Sequence, residues 1–133
     1  MSDDADRPGD PLHMNLKDGA AHVHREDVGD VMVFGVENEN VYPRQADEIA
    51  AIIKAGIIAS DKPKAIVDLS RVQFICSAFI GLLIDVHKLA GEKSGEIKLC
   101  VTGEHVAYTM KLVKLQKIMQ IAGDRQQLLD SFR

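Results

Sequence analysis

The chain has no tryptophan, and only two tyrosines and four phenylalanines among its 133 residues. So few aromatic side chains, with many Val, Ile, Leu and Ala, suit helices packed on a sheet better than a β-sandwich. No apolar run approaches the roughly 20 residues needed to span a bilayer. The opening MSDDADRPGDPLH carries acids and prolines where a secretory signal starts basic and then turns apolar, so a cytoplasmic location is expected. Cysteine is scarce as well: Cys76 and Cys100 both lie in apolar surroundings and read as free buried thiols, not a disulfide. Positive charge is the minority sign. With 16 Lys and Arg against 20 Asp and Glu, the net charge of −4 argues against general nucleic-acid binding. What the chain does have is 46% hydrophobic residues, enough for one core without staples.

Residues 1–13 are polar, rich in Asp and Pro, and read as a disordered tail; residues 14–133 read as a single domain. Apolar and polar residues alternate from Asn15 through Ala21, Val23 and His24, a first strand. The Val28-Gly29-Asp30 turn leads into a stronger strand, Val31 to Glu37, which completes a hairpin. NENVYPRQ reads as a loop, with Pro43 suited to open a helix through Ala46, Ile49, Ile53 and Ile57. AIVDLS is an uninterrupted apolar strand of the kind buried on both faces. A helix from Ser77 to about Glu92 follows, then the strand Ile97 to Thr102. A third helix runs from Glu104 to Leu115, MQIAG reads as a short edge strand, and DRQQLLDSF as a final short helix. The order β-β-α-β-α-β-α-(β)-α predicts an α/β fold, a mixed sheet with helices packed against it.

The chemistry concentrates between Val67 and Leu89, where a buried strand and a short turn deliver one hydroxyl, Ser77, to the start of an apolar helix. A serine there serves as a helix cap or as a phosphorylation site; a phosphate would meet free N–H groups and the positive end of the helix dipole. Cys76 lacks a base in reach, because His87 is about two and a half turns away along the helix. Gly91-Glu92-Lys93-Ser94-Gly95 ends a helix and lacks the spacing of a phosphate loop. His22 and His24 share one face of a strand but have no obvious further ligands. Lys111, Lys114 and Lys117 fall on one helical stripe, ordinarily a solvated face and less often a docking site for acidic residues. Glu37 and Glu39 follow the second strand, at a distance from Ser77 that the sequence does not fix. No acid–base pair, metal cage or cofactor cradle assembles, so neither an enzyme nor a cofactor is expected.

The stretch VDLSRVQFICSAFIGLL resembles the STAS domain of anti-sigma-factor antagonists, whose pattern is roughly DLS-x-V-x-F-I-D-S-S-G-L-G-x-L-L. Asp68-Leu69-Ser70, Val72, Phe74-Ile75, Ser77, Gly81 and Leu82-Leu83 match in register. GVEN stands where the family tends to have G-E-L-D, and KLCVTGEHV where it has a strand leading into the third helix. The resemblance implies a STAS-like fold and a role in partner switching: a phosphoprotein of signal transduction and transcription regulation. In its unphosphorylated form it would bind an anti-sigma factor, itself a serine kinase of the histidine-kinase-like ATPase fold, and so release the sigma factor. Phosphorylation of Ser77 would break that complex, and a phosphatase would reset it. The expected contact surface is Asn38, Asn40, Tyr42, Pro43, Cys76, Ser77, Ala78, Phe79 and Ile80, with no membrane or nucleic-acid partner. The chain departs from the pattern at Cys76 (for the aspartate), Ala78 (for the second serine), Phe79 (for glycine) and Asn38 (for an acid). These departures favour a second reading, a constitutive STAS scaffold or subunit of a signalling assembly or lipid-transport ABC system. A third, a small-ligand-binding protein, requires a polar pocket beside Ser77.

Overall fold

The computed structural model describes residues 19–133; the tail, Asn15 and the rest of 14–18 lie outside the described residues. Strands β1 (Val23–Val28) and β2 (Val31–Val36) form an antiparallel hairpin, closed at a turn where Gly29 takes a φ of 62° that side-chain-bearing residues avoid. There follow β3 (Asn40–Val41), α1 (Pro43–Ile58), β4 (Lys64–Asp68), β5 (Phe74–Ile75) and α2 (Ser77–Glu92). The chain ends with β6 (Glu96–Cys100), α3 (Glu104–Leu112), a 3₁₀ turn (Leu115–Lys117), β7 (Ile121–Ala122) and α4 (Arg125–Ser131). The main sheet has five strands in the order β1-β2-β4-β6-β7, parallel throughout except for β1. The α/β class and the element order follow the sequence reading. Two elements do not: the two-residue strand β3, and its partner β5 in what reads as the turn before Ser77. NENVYPRQ, read as a loop, contains β3, which pairs in parallel with β5 as a separate two-stranded sheet.

Strand alternation divides the core in two. Met32, Phe34 and Val36 of β2, Ala65 and Val67 of β4, and Ile97 and Leu99 of β6 turn to one face. There they meet Ile49, Ile53 and Ile57 of α1, Phe79, Leu83, Val86 and Ala90 of α2, and Val106 and Met110 of α3. The intervening residues Val31, Val33, Ile66 and Cys100 turn to the opposite face, under Leu128 of α4. With both faces covered, Ala65, Ile66 and Val67 are fully buried, which is why β4 reads as a continuous apolar run. Lys98 also points to the α4 side, where its Nζ donates to Ser131 Oγ (2.6 Å) and lies 4.0 Å from the Phe132 ring centre. At Gly95 a Cβ would come within 2.0 Å of the Pro63 carbonyl, so only glycine permits β6 to start against that loop.

Helix α3 is shorter than its apolar pattern predicts. It stops at Leu112, and Lys114 takes the left-handed conformation (φ 57°) before the 3₁₀ turn. Lys111, Lys114 and Lys117 therefore do not share one helical stripe. The residues Gly91–Gly95 do end a helix, with Ser94 at φ 62°. His22 and His24 are exposed, and no group of three or more His, Cys, Asp or Glu suited to a metal occurs among the described residues.

An ion pair fastens α4 to the sheet. Arg125 Nη2 and Nε donate to Asp68 Oδ2 at 2.7 and 3.0 Å, and Nη1 donates to Glu26 at 3.1 Å. The Ser70 amide donates to Asp68 Oδ1 at 2.9 Å. Burial pushes the Asp68 carboxyl up, but the Ser70 hydrogen bonds and Arg125 outweigh it and hold the carboxyl below its ordinary value. Burial, with the neighbouring Asp68 charge, pushes the Cys100 thiol up to about 11. Both cysteines are free.

Four outcomes follow. Arg125→Met strands a carboxylate whose side chain is 8% exposed, but Arg125 itself is 40% exposed. The 3–5 kcal/mol typical of a broken buried pair is thus an upper bound, and we expect a loss of about 1–3 kcal/mol in urea unfolding at pH 7. Because the folded Asp68 value is lowered, its stabilisation is present above about pH 4 and fades as pH falls through the lowered value. The difference between wild type and variant narrows in acid; a constant difference down to pH 2 contradicts this account. Phe79→Ala, at a site 1% exposed, is expected to remove about 3–5 kcal/mol in the same assay. Cys100 is expected to resist iodoacetamide at about pH 8 in the folded protein and to react once it is unfolded.

Candidate partner-binding site

The short β3–β5 ladder builds the surface around Ser77. Asn40 lies opposite Phe74 and Val41 opposite Ile75. The Glu39 carbonyl accepts from the amides of Gln73 (2.7 Å) and Phe74 (3.1 Å), and the Val41 carbonyl accepts from the Cys76 amide (3.0 Å). The segment after β2 is thereby fixed beside the segment that enters α2. Tyr42, immediately after β3, precedes the first residue of α1, Pro43; its amide donates to Gln45 Oε1 at 2.9 Å. The strand positions bring Asn40, Tyr42 and Pro43 to the same edge as Cys76, Ser77 and Ala78.

Ser77 is the first residue of α2, not its cap. Cys76 occupies the cap position with extended backbone (φ −83°, ψ 161°) and gives no side-chain hydrogen bond. The Ser77 side chain is exposed and makes no hydrogen bond among the described residues. The reading of Ser77 as a helix cap is thus corrected by one position: its hydroxyl is free for other chemistry. Its surroundings favour an anion. The first turn of α2 holds no acidic residue, and a helix N-terminus presents amides and the positive end of the dipole.

Three of the residues expected at the contact surface belong elsewhere. Phe79 (1% exposed) and Ile80 (7%) are buried in the main core, so their side chains offer nothing to a partner. Phe79, Leu83, Val86 and Ala90 form one inward stripe of α2, which accounts for a bulky residue where the family pattern has glycine. Asn38 is used internally: its Oδ1 accepts from the His22 amide (2.8 Å) and its Nδ2 donates to the Ala20 carbonyl (2.9 Å). Cys76 is half-buried against the core.

Two residues join the surface that the sequence did not single out. Phe74 lies between Tyr42 (ring centres 5.4 Å apart, tilted 44°) and His105 of α3 (5.6 Å, stacked at 16°). Tyr42 is 51% exposed, so this row of rings faces solvent. Phe74 carried a usable signal: in a strand whose Ile75 points inward, its neighbour must point outward. His105 carried none, because its partner comes from a distant part of the chain.

A polar cavity of about 320 Å³ lies at the ends of β2 and β4, lined by His24, Glu37, Asp68, Ser70, Arg71 and Arg125 among others. Its charges are matched internally: Arg125 holds Asp68 and Glu26, and Arg71 lies 4.0 Å from Glu37. Ser77 does not line it. No helix among the described residues is long and apolar enough to cross a membrane.

Comparison with known proteins agrees with this architecture. A search of the curated proteins gives no match. Among solved structures, the chain is similar to an anti-sigma factor antagonist from Mycobacterium paratuberculosis (TM-score 0.76, 21% identity, covering 85% of this chain and 94% of that one). It is similar to an anti-sigma-factor antagonist (STAS) domain protein from Planctomyces limnophilus (TM-score 0.71, 21% identity, 86% and 99% covered). It is also similar to the anti-sigma factor antagonist SpoIIAA in its unphosphorylated form (TM-score 0.72, 18% identity, 84% and 96% covered); SpoIIAA, a Bacillus cell fate determinant, is known in a phosphorylated form too. At these identities the likeness shows a shared fold. The family itself is shown by the sequence: the STAS domain model matches residues 25–128, from β1 into α4, and the chain belongs to the STAS domain family.

Proposed function

We propose that this protein is an anti-sigma-factor antagonist, a non-enzymatic cytoplasmic switch that binds an anti-sigma factor and thereby releases a sigma factor. The observation that carries the reading is the position of Ser77, exposed, its side chain without a hydrogen bond among the described residues, and at the open start of α2. The contact surface comprises Ser77, Ala78, Asn40, Tyr42 and Pro43, extended by Phe74 and His105. A partner of the histidine-kinase-like ATPase fold would phosphorylate Ser77, and a phosphatase would reverse the step. A phosphate there adds about −1.5 to −2 charges and three strong acceptors. On this chain it finds the α2 amides and no acid in the first turn. On the partner it meets an interface formed against a neutral hydroxyl, with no new donors to satisfy it.

The absence of a carboxylate at Cys76 or in the first turn of α2 favours a second reading, a STAS subunit that holds its partner constitutively. Pull-downs from native lysate with wild type, Ser77→Ala and Ser77→Asp as baits separate the two. We expect a kinase-fold protein to be retained by wild type and Ser77→Ala and reduced at least about tenfold with Ser77→Asp. Equal retention by all three baits rejects the switch in favour of the constitutive subunit. Because Ser77 makes no structural hydrogen bond, both variants should unfold within about 0.5 kcal/mol of wild type.

A further inference from the structure

Beyond the ring row, the far end of α3 is unusual. Eight large hydrophobic side chains are exposed among the described residues, and four of them fall between positions 108 and 118: Tyr108 (62%), Leu112 (63%), Val113 (48%) and Ile118 (45%). The same stretch is an island of positive charge. From His105 to Gly123 the chain carries Lys111, Lys114 and Lys117 and no carboxylate, in a protein with net charge −4. A merely solvated lysine segment has no need of an exposed valine and isoleucine within it.

A groove of about 320 Å³ opens along this end, between α3 and the edge strand β7, with Val101, Met110, Ile121 and Ala122 in its lining and Lys111 beside them. Strand β7 pairs with β6 on one side, through the Gln120 and Ala122 carbonyls, which leaves the Ile121 amide and carbonyl on the outer side. We propose that this basic, apolar end of α3 and the adjoining β7 edge form a second docking surface, for an extended acidic segment of a protein partner bearing apolar anchor residues. Charge complementarity sets the acidic character, and the apolar lining of the groove sets the anchors. The groove and open strand edge distinguish a peptide from an anionic bilayer, which has no side chains to insert and no backbone to pair. The groove side of α3, with Ala107 and Lys111, lies on the opposite flank of the helix from His105, whereas Tyr108 and Leu112 share the flank of His105 and are not part of the site; the proposal does not depend on the Ser77 reading.

The test uses a fluorescein-labelled synthetic peptide of about twelve residues in which glutamates alternate with leucine and valine, titrated by anisotropy. We expect saturable binding with Kd near ~10–100 µM, weakened by added salt. Lys111→Glu/Lys114→Glu/Lys117→Glu should weaken it about tenfold or more, and Ala107→Glu, at an exposed position in the groove lining, comparably. Ser77→Asp should leave it unchanged, so this site and the switch fail separately. The proposal is overturned if the peptide does not saturate, or if a peptide with lysine in place of glutamate binds as well. Indifference to the triple substitution overturns it too, as does binding of phosphatidylglycerol vesicles through the same lysines in the absence of peptide binding.

Discussion

The pairing of β3 with β5 is the constraint on which the functional surface depends. It involves four residues and a handful of backbone hydrogen bonds, each worth on the order of 1 kcal/mol net. Yet it joins two of the places where the chain leaves the main sheet for a helix, after β2 and after β4. Val41 and Ile75, the inward residues of the pair, are buried in the same core as α1 and α2. The ladder is therefore held from below by packing and leaves Asn40 and Phe74 on its outer side. Tyr42 and Ser77, each one or two residues past the ladder, inherit their separation from it. The surface is built of backbone geometry first and side chains second, which is why it persists although Cys76, Ala78 and Phe79 all depart from the family pattern.

Charge is distributed with comparable economy. The buried carboxylate of Asp68 belongs to the DLS segment but faces α4, where Arg125 pairs with it and the Ser70 amide donates to it. It contributes to the attachment of the last helix and nothing to the Ser77 surface. The start of α2 carries no acid, and the lysines of the chain's positive island lie in the last turn of α3 and the segment after it. A phosphate on Ser77 thus meets no carboxylate in the first turn of its own helix, and is opposed chiefly by whatever covers the site.

The sequence made the architecture legible because the long elements have strong periods. The Ser77–Glu92 helix, the doubly buried β4 and the β1–β2 hairpin all follow from spacing. The two-residue strands β3 and β5 were invisible because alternation needs more residues than they have. The end of α3 was missed because Lys114, not a glycine, takes the left-handed conformation that stops the helix. Phe79 and Ile80 were misplaced for a different reason. Alignment to the family pattern put them on the contact surface, whereas the 79-83-86-90 spacing already placed Phe79 inside. Where pattern and period conflict, burial of a phenylalanine decides in favour of the period.

The one-residue shift of Ser77 from cap to first helical position changes what modification means energetically. A capping serine contributes about 0.5–2 kcal/mol through its side-chain oxygen, and phosphorylation would put that bond at risk. Here the cap position belongs to Cys76, which gives no such bond, so the fold has nothing invested in the Ser77 hydroxyl. A phosphate on it gains from the helix dipole, typically about 0.3–1 kcal/mol at an exposed site. Modification then slightly favours the free, folded domain while it opposes any complex that covers Ser77. The two effects have the same sign, so a switch at this position needs no conformational change in the domain: the fold stays as it is, and only the partner's side of the balance moves.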